Sequence, residues 1–418
     1  MTAFATLMGE QALELIMAGR CADAEPLAKY SIAADACLAY NLYLLGHSQY
    51  RLKRYEEAAV ALATSVAIEP AQASAHNDLA ASLFALGRES EALPAIQRAL
   101  AVQPDLAEAQ ETWGIELLRA GRLREAWPHY EARFHSLSGS RYRRDFPQPQ
   151  WRGEPLAGRT ILLHAEQGAG DTFQFVRYVP LVAALGASVV LEVYPGFRPA
   201  MSGLAGVATV IERGEALPDF DLHCPLLSLP LAFGTGLDSI PADLPYLAPL
   251  PERVAAWRMR LGPRRGRRVG VVFSGNPVHP DDEQRSIPLV QFARLLTAAP
   301  DRDIHILQNA IRDADRFALE LLPHVHDHSS AISDFADTAA LVPLMDVVVT
   351  VDTAVAHLAG ALGWPVWVLL PFRPDWRWML GRDDSPWYPT MWLFRQTRKR
   401  DWESVLEAVA RRLDETLR

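Results

Sequence analysis

Ala24, Ala58, Ala92 and Ala126 stand 34 residues apart. Gly19, Gly87 and Gly121 recur in the same register, and Lys53 fills the one missing slot. Pro70 and Pro104 close two of the units. Arg54-Tyr55-Glu56-Glu57-Ala58 and Arg122-Leu123-Arg124-Glu125-Ala126 both read as a turn, a helix start and then a small residue. Such a period rules out an ordinary globule for this stretch. Each unit is a helix pair that buries its apolar face only against the next pair, so the chain must stack. Alanine marks the close approach of two helices, and proline ends the second helix of a unit. The spacing predicts about four stacked helix pairs over residues 1–138.

This stretch resembles a tetratricopeptide repeat array. It carries that family's alanine, glycine and proline positions but not its early tryptophan; Trp113 stands where the family has leucine. The resemblance implies a concave groove that binds a polypeptide. Up to Ser138 there are 17 acidic and 11 basic residues, so the groove is not strongly basic.

Residues 139–159 change character, with Pro147, Pro149 and Pro155 among Arg141, Arg143 and Arg144. This is linker composition. The arginines are either linker surface or substrate contacts.

From Arg159 strands and helices alternate. Thr160 to His164 is a short apolar run, followed by Glu166-Gln167-Gly168-Ala169-Gly170-Asp171, a helical segment from Thr172 to Leu185, and a β-rich run from Ser188 to Val193. Val207 to Ile211 and Asp221 to His223 read as further strands. Residues 237–267, rich in Pro and Arg, read as a connector. The pattern then restarts with strands at Arg268–Phe273, Asp303–Gln308, Asp346–Val351 and Pro365–Leu370. Helices are expected near Ile287–Ala298, Arg312–Leu322 and Thr353–Leu362, and at the end from Asp401 to Leu417. Strand, Gly-rich turn, helix, strand is a βαβ unit. Two doubly wound lobes are therefore expected, at 160–265 and 266–418, with a cleft at their strand carboxyl ends.

Composition narrows the partners. The formal net charge of −9 argues against nucleic acid. Three distant cysteines, Cys21, Cys37 and Cys224, give neither a disulfide framework nor a zinc cluster and point to a reducing compartment. Thr353 to Phe372 lacks formal charge, but His357, Gly360, Gly363 and Pro365 interrupt it, so no membrane span is expected. Met1 to Arg20 lacks the basic start of a leader, and the expected location is the cytoplasm.

The two lobes resemble the GT-B glycosyltransferase fold, a pair of Rossmann-like lobes. Gly168-Ala169-Gly170-Asp171 resembles the Gly-x-Gly-Asp motif of the heptosyltransferase-like family, family nine of the glycosyltransferases. Asp352-Thr353-Ala354-Val355-Ala356-His357-Leu358-Ala359 through Gly363 resembles that family's donor motif, with Ala354 in place of a glycine. Pro374-Asp375-Trp376-Arg377-Trp378 and Ser385-Pro386-Trp387-Tyr388-Pro389 have no counterpart in that pattern. Repeats fused to such lobes resemble bacterial protein O-glycosyltransferases, some acting on flagellin, and the architecture of O-linked N-acetylglucosamine transferase. The fold class expected is thus an α-solenoid followed by α/β lobes of GT-B type.

The resemblance implies an inverting transfer from a nucleotide-sugar to Ser or Thr of a protein recruited by the repeats. It gives Asp171 the role of base; the residue type also suits an N-cap for the helix that follows. Gln167, Gly168 and Gly170 form the acceptor-lobe loop. Donor or phosphate contacts are expected from Ser274, Gly275, Asn276, Gln308, Asp352, Thr353, Ala354 and His357, with helix N–H groups standing in for a metal. Arg285, Arg373 and Arg377 can offset donor charge. His324, His326 and His328 alternate, but no carboxylate or cysteine stands at matching spacing, and Asp301-Arg302-Asp303 falls in an expected loop, so neither metal nor cofactor is expected. A glycan or lipopolysaccharide acceptor, and a catalytically silent scaffold, are the competing readings.

Overall fold

The computed structural model describes residues 2–34, 39–137, 139–297 and 302–416; Cys37, Ser138 and Asp301 lie outside them. The chain divides into two compact units, Met1–Leu118 with Glu125–Arg143, and Arg119–Arg124 with Arg144–Arg418.

The first unit is an α-solenoid. Its helices are α1 (Thr2–Met17), α2 (Cys21–Ala34), α3 (Ala39–Arg51), α4 (Tyr55–Ile68), α5 (Ala73–Leu86), α6 (Glu89–Val102), α7 (Ala107–Arg119) and α8 (Leu123–Tyr130). The four periodic alanines are fully buried, as close helix approach requires. Each tight turn between paired helices holds a residue in the left-handed region: Gly19 at φ 75°, Gly87 at 76° and Gly121 at 77°. Lys53 takes the same conformation at φ 60°. It closes the same pair of turn bonds, Lys53 N–H to the Tyr50 carbonyl at 2.9 Å and Arg54 N–H to the Gln49 carbonyl at 2.9 Å. A side chain in that conformation costs about 1–2 kcal/mol. Lys53 is therefore the strained member of the set. Ala58, Leu62, Leu83, Ile96 and Ala99 lie in the core of the middle repeats.

The second unit contains two parallel sheets. The first lobe holds β1 (Thr160–His164), α9 (Ala169–Phe175), α10 (Val179–Ala184), β2 (Ser188–Val193), β3 (Val207–Glu212), β4 (Leu222–Pro225) and α11 (Leu229–Ala232). Its strand order is β3-β2-β1-β4. The connecting segment contains α12 (Pro251–Leu261). The second lobe holds β5 (Arg267–Val272), α13 (Asp282–Arg285), α14 (Leu289–Thr297), β6 (Arg302–Ile306), α15 (Asp313–Glu320), β7 (Val325–Asp327), α16 (Phe335–Leu341), β8 (Val347–Val351), α17 (Ala354–Ala361), β9 (Val366–Leu370), β10 (Met391–Arg395) and α18 (Trp402–Thr416). Its order is β10-β9-β8-β5-β6-β7. Strands β8 and β9 are buried along their whole length, which explains their unbroken apolar runs.

Three sequence expectations need correction. The Pro- and Arg-rich connector contains a helix, α12; Pro251 occupies its first turn, where a missing N–H costs nothing, and Trp257 is its buried anchor. Strand β6 takes in Arg302 as well as the expected Asp303, so neither of these two residues lies in the loop they were read in, and Asp303 pairs with Arg268 of β5, Nε to Oδ2 3.3 Å. The helix expected from Thr172 to Leu185 is two helices, α9 and α10, joined by a 3₁₀ turn at Val176–Tyr178.

The two lobes of this unit are joined by a buried cation. Arg177, in that 3₁₀ turn, donates to the carbonyls of Gln174 at 2.7 Å, Pro241 at 3.2 Å and Trp387 at 2.6 Å, and to the Tyr246 hydroxyl at 3.0 Å. Its guanidinium lies over the rings of Tyr388 at 4.5 Å and Tyr246 at 4.9 Å. Among the described residues no helix is long and apolar enough to cross a membrane.

Candidate functional site

Strand order locates the site. In the second sheet the chain runs outward from β5 through β6 to β7, then returns to β8 on the other side of β5. The crevice outside the carboxyl ends of β5 and β8 is the topological switch point, where open α/β sheets bind ligands. Ser274, Gly275 and Asn276 follow β5, and Asp352, Thr353 and Ala354 follow β8. In the first sheet the order reverses between β1 and β4, and Gln167, Gly168 and Gly170 follow β1. These three sequence-derived loops therefore stand at switch points, while Gln308 follows β6 beside them.

Helices α9 and α17, one from each lobe, pack against each other. Gly170 allows this. A Cβ at that position would lie 2.7 Å from His357 Cδ2. Asp171, one residue on, sits in the first turn of α9 and accepts the Gly168 N–H on Oδ2 at 2.6 Å. It closes the first turn as a helix residue, not from the cap position. Its Oδ1 is paired with the Arg377 guanidinium from the other lobe. Burial pushes the Asp171 carboxyl upward, against the opposing pull of Arg377 and of the Gly168 N–H.

Arg377 arrives on the Pro374–Trp378 segment that follows β9. Asp375 holds it from behind, its Oδ1 accepting Nη1 at 2.8 Å and the Arg377 N–H at 3.0 Å. The guanidinium lies 4.2 Å over the Trp376 ring. Next to it, Trp378 stacks on His357 with centroids 5.0 Å apart and planes at 23°. His357 Nδ1 meets the Tyr388 hydroxyl at 3.0 Å. Burial first, then the nearby Arg377 charge, push the imidazole down to about 3, so it is neutral. His357 is a packed, hydrogen-bonded ring whose environment opposes protonation.

At the start of α17, Thr353 occupies the cap position with extended backbone but makes no side-chain cap bond. Its hydroxyl instead meets Thr350 Oγ1 at 3.1 Å. The first N–H groups of the helix, beginning at Ala354, are thus not capped by that hydroxyl. The Asp352 carboxyl is pushed up to about 6 by burial and by the charge of Asp375. Asp375 itself is driven down, because Arg377 outweighs the cost of its burial. Arg285 donates to the Asp352 carbonyl at 3.0 Å. A divided charge pattern results, with Arg285 and Arg377 close to two carboxyls of unequal proton affinity.

The β5 loop is braced rather than open. Gln308 accepts the Phe273 N–H at 3.1 Å and donates to Ser274 Oγ at 3.0 Å and the Ala310 carbonyl at 2.8 Å. Both ends of its amide hold the loop. Gly275 N–H donates to Ser286 Oγ at 3.0 Å, and Arg312 donates to the Gly275 carbonyl at 2.9 Å. Asn276 is exposed and accepts the Val278 N–H at 3.1 Å. Gln167 stands in the left-handed region at φ 59°, its carbonyl accepting from the Tyr194 hydroxyl at 2.7 Å.

Sequence reasoning gave no role to Tyr388, Trp378 or Asp375, which sit at the centre of this arrangement. The two Trp-rich segments were the available signal. Residues that deviate from a family pattern yet concentrate Trp, Tyr and Arg build something specific. The histidines of β6 and β7 lie elsewhere. His305 stacks on His326 and His328 at 4.8 and 5.2 Å, and His326 meets Asp303 at 2.9 Å. Among the described residues no group of His, Cys, Asp or Glu is arranged to hold a metal ion.

No family model matches the chain. It is 26% identical over 305 residues to Protein FlbA of Caulobacter vibrioides, covering 67% of this chain and 50% of that protein. The chain thus spans about half the length of this curated relative. Among solved structures it is similar to an O-GlcNAc transferase of Thermobaculum terrenum, with 14% identity, a TM-score of 0.37, and 99% of this chain and 92% of that one covered. It is also similar to the ADP-heptose lps heptosyltransferase II of E. coli, with 13% identity, a TM-score of 0.45, and 61% of this chain and 99% of that one covered.

Proposed function

We propose that the protein is a glycosyltransferase of GT-B type, moving a sugar from a nucleotide-sugar to a Ser or Thr hydroxyl of a protein held by the repeats. One observation supports this reading above others. A partly buried carboxylate at one switch point, Asp171, lies one residue from the contact between α9 and α17, whose N-terminus opens the other switch point. The donor's diphosphate lies against the first turn of α17, where free N–H groups and the helix dipole favour negative charge. Arg285 and Arg377 add charge, and no metal takes part.

The step is a single displacement with inversion. The acceptor hydroxyl oxygen forms a bond to the anomeric carbon as the bond from that carbon to the phosphate oxygen breaks. The electron pair leaves with the nucleoside diphosphate, and the hydroxyl proton passes to Asp171. Neutral His357 supports the wall of the site without bringing a positive charge of its own. The solenoid presents an extended surface suited to a polypeptide, flagellin being one such acceptor, and the reaction takes place in the cytoplasm.

The test compares intact-protein mass spectra from cells with and without this chain, followed by transfer with purified enzyme in EDTA. Loss of one glycan mass from a protein, restored in vitro, supports the reading. Unchanged protein masses together with altered lipopolysaccharide would move the acceptor to a glycan. No transfer to either would leave a binding scaffold.

A further inference from the structure

Asp171 faces a conflict that the reaction has to resolve. A carboxylate whose Oδ1 is occupied by a guanidinium is a poor acceptor for a hydroxyl proton, since the cation competes for the same lone pairs and lowers their basicity. Its Oδ2 is already engaged by the Gly168 N–H. Arg377 has more than one working edge. Nη1 is anchored on Asp375 from its own segment, while Nη2 reaches across to Asp171 of the other lobe. The same segment puts Trp378 on His357 in α17, so the Nη2 edge stands beside the helix whose N-terminus takes the diphosphate in the reading above.

We infer that Arg377 couples donor binding to the base: in the donor-free protein its Nη2 edge masks Asp171, and an arriving diphosphate draws that edge away and exposes the carboxylate. The inference rests on the proposed donor site. A diphosphate carries more charge than one carboxylate and offers several oxygens to a planar guanidinium, so it wins the exchange. Asp375 keeps Nη1 anchored and limits the movement to one edge of a stacked group. Asp171, left partly buried without its cation, becomes more basic at the moment when acceptor and donor are both present. Without donor, the masked carboxylate cannot activate water or a stray hydroxyl. Arg377 is a positioning residue for Asp171 and a binding residue for the donor.

Masking makes a prediction that runs against ordinary loss-of-function logic. Removing Asp171's charge should strengthen nucleotide binding, because Arg377 no longer has to be taken from a partner. The probes are UDP, GDP, CDP, ADP and inorganic pyrophosphate, titrated calorimetrically into the full chain with EDTA present. For whichever probe binds, Asp171→Asn should bind about tenfold tighter, the scale of one charge-assisted partner released. Asparagine still accepts the Gly168 N–H, so the first turn of α9 is kept. Arg377→Gln should weaken binding, and the gain from Asp171→Asn should vanish in the double variant. Arg377→Lys, which keeps the charge, should recover part of the loss.

An Asp171→Asn variant that binds the probe no tighter than wild type overturns the coupling while leaving the donor site standing. So does a gain that persists in the double variant. If none of the five probes binds to wild type or to Asp171→Asn, the donor site itself fails, and the coupling with it.

Discussion

The imidazole of His357 fills the space that any side chain on Gly170 would need, with Cδ2 2.7 Å from the position a Cβ would take. That contact crosses from one lobe to the other. Gly170→Ala must push α9 away from α17 or tilt His357 off Trp378. Overpacking of this kind costs about 1–3 kcal/mol. The expected outcome is a lower melting temperature and a loss of transfer larger than the loss of nucleotide affinity. Transfer and affinity falling together would mean that the contact serves stability alone.

In the proposed mechanism Asp171→Asn removes the base, while the amide still accepts the Gly168 N–H and keeps the helix turn. Transfer should fall by about 10²–10⁴-fold, the usual contribution of a positioned base. Single-turnover rates at saturating donor check this. A drop under about threefold would pass the role to another group, with the buried Glu166 next in line.

Tyr388→Phe takes away the hydroxyl that meets His357 Nδ1 at 3.0 Å. The imidazole is buried, so its nitrogen loses a partner that water cannot replace. The expected loss of stability is about 1–3 kcal/mol, read by chemical denaturation. His357→Ala, which removes the ring itself, should not add its full cost to that of Tyr388→Phe.

Acid should destabilise the fold before ordinary carboxylates titrate. His357 is pushed to about 3, and His305 and His328 to about 4, in each case mainly by burial. Each folded value lies below the unfolded one. The stabilisation is therefore complete above about 6.5 and is lost as pH falls toward 4, because the unfolded chain binds those protons first. Asp352, raised to about 6, acts in the opposite sense: its contribution is present below about 4 and is lost as pH rises through 6. The three imidazoles outnumber it, so the denaturation midpoint should drop between pH 6.5 and 4.5. Replacing His305 and His328 by Asn should flatten that slope.

Much of this architecture was legible because its signals are local. The 34-residue period survives the loss of a glycine at Lys53, since the turn needs a left-handed residue and the packing of Ala58 and Leu62 enforces one. Gly168 to Asp171 and Asp352 to His357 were legible as strand-turn-helix junctions, the places where a parallel sheet exposes its switch points. The pairing of Asp171 with Arg377 was not legible. The two are 206 residues apart, and nothing in either segment encodes their meeting. Gln308 shows a related ambiguity: a polar residue at a strand end suits ligand contact or loop bracing equally, and only the positions of Phe273 and Ala310 reveal the bracing. Helix α12 was obscured because proline reads as a breaker until its place in the first turn is known.

The buried guanidinium of Arg177 also limits how this molecule can move. A clamshell opening would pull the cation away from the Trp387 and Pro241 carbonyls and from the Tyr246 and Tyr388 rings at once, leaving charge stranded in an apolar interior. Breaking such a buried arrangement costs about 3–5 kcal/mol. Rotation about that point keeps most of these contacts. The lobes should therefore shear past each other around a fixed pivot, with displacement nearly zero at Arg177 and growing with distance from it.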